Sequence, residues 1–449
     1  MKPLPDSPLS LWLDTFGAYQ PEPPLAEDIQ VDVAIIGGGF TGIATAHELK
    51  RAEPGLRIAL LEAKTIGYGA SGRNGSFAMT VVGLGFGTMA MLRGKAFVND
   101  AHEYMMRAVD HLDELIQREK LDCDRLRPGF LRTATTKGYV KRIQHDVDLM
   151  NRLGFDDIYW LDAGQVRQRV NSPRFLGAMW EPRLVLVNPA KLVRAEKTLA
   201  LSMGVEIYEN TPVMEIATDN NYRLKTPRGR VAASKLVFAT NAYSHVFPGL
   251  QLKQVPAFTY MIATAPLTER QLAPIGWQNL EGLEDARNLI HYYRITPDKR
   301  LVMGGGPVGL TWNNALYADK NENAWNHLEQ HITFLFPSLA KVPITHRWGG
   351  PFSVTTNLTP ALGCLGNRNA FYSLGCVGHG VSMSHLNACT LRDLILERRS
   401  DLTDSPFVNR KSIPWPPEPL RMFAIGALRS YLQLEDRIYE RHLPAGGKD

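Results

Sequence analysis

The chain has 449 residues, of which 44% are hydrophobic and 21% charged, and its formal net charge of +5 is spread along its length. That is too long for one compact core, so two domains or an interleaved pair are expected. No block of Lys and Arg marks a nucleic-acid face, and no run approaches the roughly 18 apolar residues needed to span a bilayer.

Residues 1–30 read as an extended arm with a proline-rich connector, YQPEPPLAED, and lack the basic start and apolar core of a signal peptide. Val31 to Ile36 then end in an apolar run, as a buried parallel strand does. AIIGGGFTG follows, with Gly37, Gly39 and Gly42 at the spacing of a dinucleotide-binding turn. Gly37 permits the tight turn, Gly39 lets backbone approach a pyrophosphate, and Gly42 lets the next helix pack on the sheet. That helix, TGIATAHELKRA, presents its N-terminal N–H groups to phosphate. The second strand, RIALLEA, ends at Glu62, where a carboxylate can accept ribose hydroxyls. This motif alone does not separate NAD from FAD.

TIGYGASGRNGSF comes next, a glycine-rich loop with Ser71, Arg73 and Asn74 that can lie along an extended cofactor. Residues 100–170 read as largely helical. A second parallel unit starts with a helix from about Ala190, then strands near Val205 to Tyr208 and near Val213, a hairpin turning at Arg228-Gly229 and a buried strand, KLVFAT. FTYMIATAPL, LIHYYRITPD and RLVMGGG suggest further strands, and LGCVGHGVSMSHLNACTLRDLIL is a glycine-rich turn into a helix. The tail after PWPPEP is an amphipathic helix with Leu420, Phe423, Ala424, Ala427, Leu428, Tyr431, Leu434 and Ile438 on one stripe, flanked by Arg421, Arg429 and Arg437. The expectation is that this stripe docks on the chain's own body, with peripheral contact to a membrane surface as the alternative.

Cys123, Cys364, Cys376 and Cys389 form no CxxC pair. Inert buried thiols in a reducing cytoplasm are expected, with no metal site. No GxSxG elbow, HExxH or Walker motif is present, which removes hydrolase, zincin and kinase readings.

Taken together, VAIIGGGFTG, LLEAKTIGYGASGRNG, NPAKLV, VFATNAYS, YYRITPDKRLVMGGG and GCVGHG, in this order, resemble the D-amino-acid oxidase superfamily of FAD-dependent amine oxidoreductases. GYGASGRNG looks most like the γ-glutamylputrescine oxidase branch. The resemblance implies an α/β (α+β) fold: a Rossmann-like FAD-binding domain of glutathione-reductase type, interleaved with a substrate domain of antiparallel sheet and helices. The FAD domain is expected over 31–90, 181–245 and 346–400, the substrate domain over 91–180 and 246–345, and the helical tail over 412–449. Gly37, Gly38, Gly39 and Gly42 would hold the pyrophosphate, Glu62 the adenosine ribose, and the backbone of Val213 the adenine. Ser71, Arg73 and Asn74 would lie along the flavin, and Gly378, His379 and Gly380 near its pyrimidine side. Phe40, Thr41, Ala63, Gly75, Ala239, Thr240, Gly350 and Gly375 complete the expected cofactor contacts.

The FAD is expected to be non-covalent. The region before TTNLTP has Trp348 where the sarcosine oxidase branch carries its attaching cysteine, Cys364 falls too late, and GASGRNG lacks the attaching histidine of dimethylglycine-type relatives. Two departures stand out: Asn357 replaces an aspartate common in relatives, and RLVMGGG lacks their oxygen-activating lysine. The implied reaction oxidises the C–N bond of a primary or secondary amine, an amino acid or another carboxylate-bearing amine, by hydride transfer to flavin N5. O2 is the expected acceptor, giving H2O2; the alternatives are a dehydrogenase passing electrons to quinone or another carrier, and a non-catalytic flavin-binding protein.

On LIHYYRITPD, alternation sends Tyr292 and Arg294 to one face. Arg294 is the expected substrate-carboxylate clamp, through two parallel hydrogen bonds; its alternative is a surface pair with Asp285 or Asp298. Tyr260 and Tyr292 read as pocket walls or as core tyrosines. His379 reads as a general base or as a residue packed beside the flavin.

Overall fold

The computed structural model describes residues 8–219, 221–366, 369–411 and 413–444. A first eight-stranded sheet runs in the order Ala361–Leu365, Ala370–Leu374, Arg230–Phe238, Ile29–Ile36, Ile58–Leu61 and Glu206–Tyr208, with Tyr222–Lys225 and Glu215–Thr218 added beside Arg230–Phe238. Five neighbouring strands, from Ala370–Leu374 to Glu206–Tyr208, are parallel. Alternation along Ile29–Ile36 explains why both faces are covered: Val33 and Ile35 pack with Ile43, Leu49 and Leu192 on one side, while Ala34 and Ile36 pack with Leu236, Phe247 and Leu250 on the other. Helices Phe40–Ala52, Pro189–Ser202 and Gly380–Ile395 supply the first of those layers.

The second eight-stranded sheet has the order Ile344–Val354, Val255–Thr264, Leu301–Gly309, His291–Ile295, Gly282–Asp285, Phe130–Ala134, Gly177–Glu181 and Tyr159–Asp162. It is antiparallel apart from the pairing of Gly282–Asp285 with Phe130–Ala134. One face is covered by helix Glu322–Leu335, whose Leu328 and Ile332 pack with Phe258, Tyr260, Tyr293 and Met303. Residues of the opposite face, Thr259, Tyr292, Glu284 and Arg132, point into the space between the sheets.

Three expectations need adjustment. The segment 100–170 does hold helices Lys95–Arg118 and Lys137–Arg152, but Phe130–Ala134 and Tyr159–Asp162 are strands of the second sheet. Helix Lys95–Arg118 packs on the first domain instead of the second: its Val109, Leu112 and Ile116 join that core, and Tyr104 donates to Asn387 Oδ1 at 2.6 Å. The boundary expected at 346 falls inside strand Ile344–Val354, which pairs with Val255–Thr264 along its length.

The tail helix, Leu420–Glu440, reverses the expected docking. Its buried residues are Arg421, Asp436 and Glu440, while the apolar stripe faces outward. Backbone N–H groups of Asn288 and Leu289, the Tyr139 hydroxyl and the Arg287 guanidinium draw the acids inward. Satisfying those buried donors decides which face turns to the body.

Candidate active site

A large cavity of about 1610 Å³ runs between the two sheets, from the glycine turn to a chamber walled by the second sheet. At one end the first strand gives way to Gly37, whose φ of +110° suits glycine and where a Cβ would lie 2.6 Å from the Ala239 carbonyl oxygen. A Cβ on Gly42 would collide with the Gly37 carbonyl oxygen, so turn and helix can pack only with both glycines present. Gly37, Gly38, Gly39, Phe40 and Thr41 line the cavity; Gly39, at the N-cap of the helix that begins at Phe40, has no side chain to cap it, and the Phe40 N–H is taken by Ser71 Oγ. A glycine turn and helix N-terminus under a cavity form an anion cradle of the kind a pyrophosphate fills.

Glu62 stands at the end of the second strand. Its carboxylate accepts the Gly38 N–H at 2.7 Å and the Lys64 N–H at 2.8 Å, one on each oxygen. Each oxygen keeps a lone pair that can face a ribose hydroxyl. Burial pushes its pKa up, against the lowering pull of those two backbone donors. Ala63, Val213, Ala239, Thr240 and Gly350 also line the wall.

The loop with Ser71, Arg73, Asn74 and Gly75 lies along the cavity. The arm holds it there: Ser10 Oγ donates to the Gly72 carbonyl at 2.6 Å and Trp12 Nε1 to that of Asn74 at 2.9 Å. Trp348 Nε1 donates to the Arg73 carbonyl at 2.9 Å, tying the same loop to the second sheet. Arg73 donates from Nε to the Tyr68 carbonyl at 2.8 Å, and Ser71 Oγ accepts the Phe40 N–H at 2.9 Å.

Opposite, the GCVGHG turn opens helix Gly380–Ile395, and Val377, Gly378, His379 and Gly380 line the wall. Val377 has φ of +46°, an unfavourable backbone for a β-branched residue, and it is fixed by its N–H bond to the Ser353 carbonyl at 3.1 Å. Burial lowers the His379 pKa to about 4, so the ring is neutral near pH 7, and its Nδ1 has no partner among the described residues.

The chamber is walled by the Tyr292 ring, packed against Gly75 and Gly304 with its hydroxyl 3.4 Å from Thr259 Oγ1. Beside it lie Arg132 and Glu284, on neighbouring strands. Arg132 Nη1 donates to Asp146 Oδ2 at 3.1 Å; its Nε lies 3.6 Å from Glu284 and makes no hydrogen bond among the described residues. Burial raises the Glu284 pKa to about 7, with Arg132 pulling the other way. A buried guanidinium with an unsatisfied N–H and a carboxyl that titrates near neutrality can together bind an anion and move a proton.

Several expected site residues lie elsewhere. Arg294 is sealed behind the wall, with Nη1 donating to the Val187 carbonyl at 3.2 Å, and burial lowers its pKa to about 10. It shares a strand face with Tyr292, but the cavity does not extend to its end of the strand. Tyr260 points to the opposite side of its strand from Thr259 and donates to the Ala318 carbonyl at 2.8 Å. Gly42 and Gly375 support the turns from behind the wall, the latter with φ of +77°. Cys376, expected as an inert core thiol, lines the cavity, and burial raises its pKa. Asn357 is in a turn outside the lining.

Arg132, Glu284 and Asp146 were not found from the sequence. Arg132 and Asp146 lie in the stretch read as helical, and only the strand Phe130–Ala134 brings them beside Glu284. Away from the cavity, the ligand atoms of Glu48, His111 and Cys389, and those of Asp285, His291 and His331, come close enough for metal binding. In the second set the Arg287 guanidinium contacts the His291 ring, placing a fixed cation where a metal would sit.

The family model for FAD dependent oxidoreductases, DAO, matches residues 32–394. The chain is 32% identical over 429 residues to γ-glutamylputrescine oxidoreductase of Escherichia coli (strain K12), covering 94% of this chain and 96% of that one. It is 26% identical over 386 residues to glycine oxidase of Geobacillus kaustophilus (strain HTA426), covering 84% and 96%. The crystal structure of glycine oxidase from Geobacillus kaustophilus superposes with a TM-score of 0.71 at 22% identity, over 86% of this chain and 99% of that one. L-proline dehydrogenase from P. horikoshii gives 0.68 at 20% identity, over 84% and 96%. With the glycine turn, Glu62 and the helix N-terminus all facing one cavity, the chain belongs to the DAO family of FAD-dependent oxidoreductases, and FAD is its cofactor.

Proposed function

We propose that the cavity oxidises the C–N bond of a carboxylate-bearing primary or secondary amine, with γ-glutamylputrescine, the substrate named for the Escherichia coli relative, as the first candidate. The observation that carries this reading is the juxtaposition of Arg132 and Glu284 in the chamber opening from the cofactor cradle. FAD, when bound, supplies the acceptor for the hydride of the C–N bond. Arg132 uses its free Nε–H and an adjacent Nη–H to hold the substrate carboxylate, a planar fork that a lysine cannot reproduce. Glu284 takes the ammonium proton onto a carboxylate oxygen, leaving the neutral amine that can release hydride. Tyr292 closes the side of the chamber and, with Phe77 at 6.0 Å between ring centroids, keeps water from the reacting carbon. His379, neutral and unpaired at Nδ1, offers a second proton acceptor. The roles expected of Arg294 pass to Arg132.

The overall stoichiometry for a primary amine is amine plus O2 plus H2O giving a carbonyl compound, ammonia and H2O2. A second reading sends the electrons to a lipid-soluble carrier such as a quinone. Two observations favour it: strand Leu301–Gly309 carries no lysine, and exposed apolar side chains surround the cavity mouth. Carbonyl product and peroxide measured per mole of amine consumed test both. Carbonyl product with equal peroxide fits the oxidase; carbonyl product without peroxide, restored to multiple turnover by a soluble quinone, fits the carrier; no carbonyl product from any carboxylate-bearing primary or secondary amine rejects the proposal.

A further inference from the structure

The tail helix docks with its polar side and leaves its apolar side in water. Glu435 pairs with Arg142 at 3.0 Å, Asp436 accepts from Asn288 N–H at 3.0 Å, Glu440 accepts from the Tyr139 hydroxyl at 2.9 Å, and Arg429 donates to the Val308 carbonyl at 3.4 Å. At about 100° per residue the opposite face collects Leu420, Phe423, Ala424, Tyr431, Leu434 and Ile438. Phe423 is 73% exposed, Tyr431 63%, Leu434 57% and Ile438 54%. A contiguous apolar stripe of this length on a protein surface marks an interaction site.

Charge says what covers it. The helix's three carboxylates all bind the body, so the outward face carries no acid, and exposed Arg437 and Arg441 flank the stripe. In a twofold pair that stacks this helix face on itself, a second copy would bring only the same cations. Phosphates of an anionic lipid surface would neutralise them while the stripe enters the headgroup region. The helix is not apolar enough to cross a bilayer, so it would lie in the interface plane. Ile425 and Leu428 of the same helix line the cavity together with the exposed Met91, Trp312 and Tyr317, and Glu418 accepts the Asn313 N–H at 3.1 Å, joining that rim to the start of the helix.

We propose that this face docks the protein peripherally on anionic membrane, with the mouth of the cavity turned to the lipid. The proposal rests on the helix and the cavity rim, independently of the substrate reading. The test sediments flavin-loaded, full-length protein with vesicles of phosphatidylcholine alone or mixed with phosphatidylglycerol. The expected result is binding to the anionic vesicles only, weakening as salt is raised. The triple variant Phe423→Ser, Tyr431→Ser, Leu434→Ser should bind at least tenfold more weakly with unchanged flavin content and elution volume, because these side chains face solvent. Arg437→Glu with Arg441→Glu should also lose binding, which keeps the test open if the serine variant misfolds. Absence of vesicle binding by the wild-type protein overturns the proposal. So does a wild-type dimer that the serine variant makes monomeric, since the stripe would then belong to a second copy.

Discussion

Glu62→Gln isolates the role of the acid at the end of the second strand. In the wild-type protein its two oxygens each accept one backbone N–H, from Gly38 at 2.7 Å and Lys64 at 2.8 Å. Glutamine has one acceptor oxygen, so one of those N–H groups must face an NH2. Losing one hydrogen bond to a charged group costs about 1.5–3 kcal/mol. Part of that is felt by the folded protein without cofactor, because the Gly38 N–H belongs to the turn itself. The part felt at the cofactor, through a loosened turn and a weaker ribose acceptor, is about 1.4–2.8 kcal/mol, or a tenfold to hundredfold weaker Kd. Titrating apoprotein with FAD and following flavin fluorescence measures it directly. Glu62→Asp should lose less, since both acceptors remain on a shorter stem. A Glu62→Gln Kd within twofold of wild type would refute the reasoning and remove Glu62 from the cofactor site.

Acid precipitation should leave FAD in the supernatant, although Cys376 lines the cavity, because burial keeps its thiol protonated; flavin in the pellet would show a covalent link. Arg294→Lys should lower stability by about 1–3 kcal/mol, through its buried bond to the Val187 carbonyl, and leave the preference for carboxylate over amidated substrates unchanged. For Glu284 the folded pKa is raised to about 7, so its carboxylate forms only as pH rises through that value. kcat/KM should rise over the same range, and Glu284→Gln should flatten that limb. The sign for stability is opposite: the folded state holds a proton that the unfolded state releases, so this group's contribution falls as pH rises from its ordinary range towards 7, a loss that Glu284→Gln should abolish in pH-dependent denaturant titrations.

The cofactor half of the molecule was readable because its constraints are backbone constraints. A positive φ at Gly37 and the near-contact of Gly42 with the turn leave a glycine pattern that survives in the sequence. The substrate half carries no such signature. Phe130–Ala134, Tyr159–Asp162 and Gly177–Glu181 are strands of four or five residues between helices, and their pairing is set by distant partners such as Gly282–Asp285. Arg132 was therefore hidden in a stretch that looked helical. Alternation placed Tyr292 and Arg294 on one face, as observed, yet how far along that face a cavity reaches depends on what packs over it. The tail is the reverse case: its stripe is plain in the sequence, but periodicity cannot say which side turns inward. Arg287, Tyr139 and the Asn288 backbone, all remote in sequence, make that choice.

Arg132 and its carboxylate partner carry the substrate reading, and anaerobic mixing resolves them without regard to the final electron acceptor. The flavin-loaded protein is mixed with γ-glutamylputrescine and with the same compound amidated at its α-carboxylate, and the loss of visible flavin absorbance is followed. The wild-type protein should bleach faster with the acid than with the amide, and Arg132→Lys should erase most of that difference at unchanged flavin content. Bleaching by neither compound, nor by any other carboxylate-bearing amine, or an acid-to-amide ratio that survives Arg132→Lys, would contradict the account.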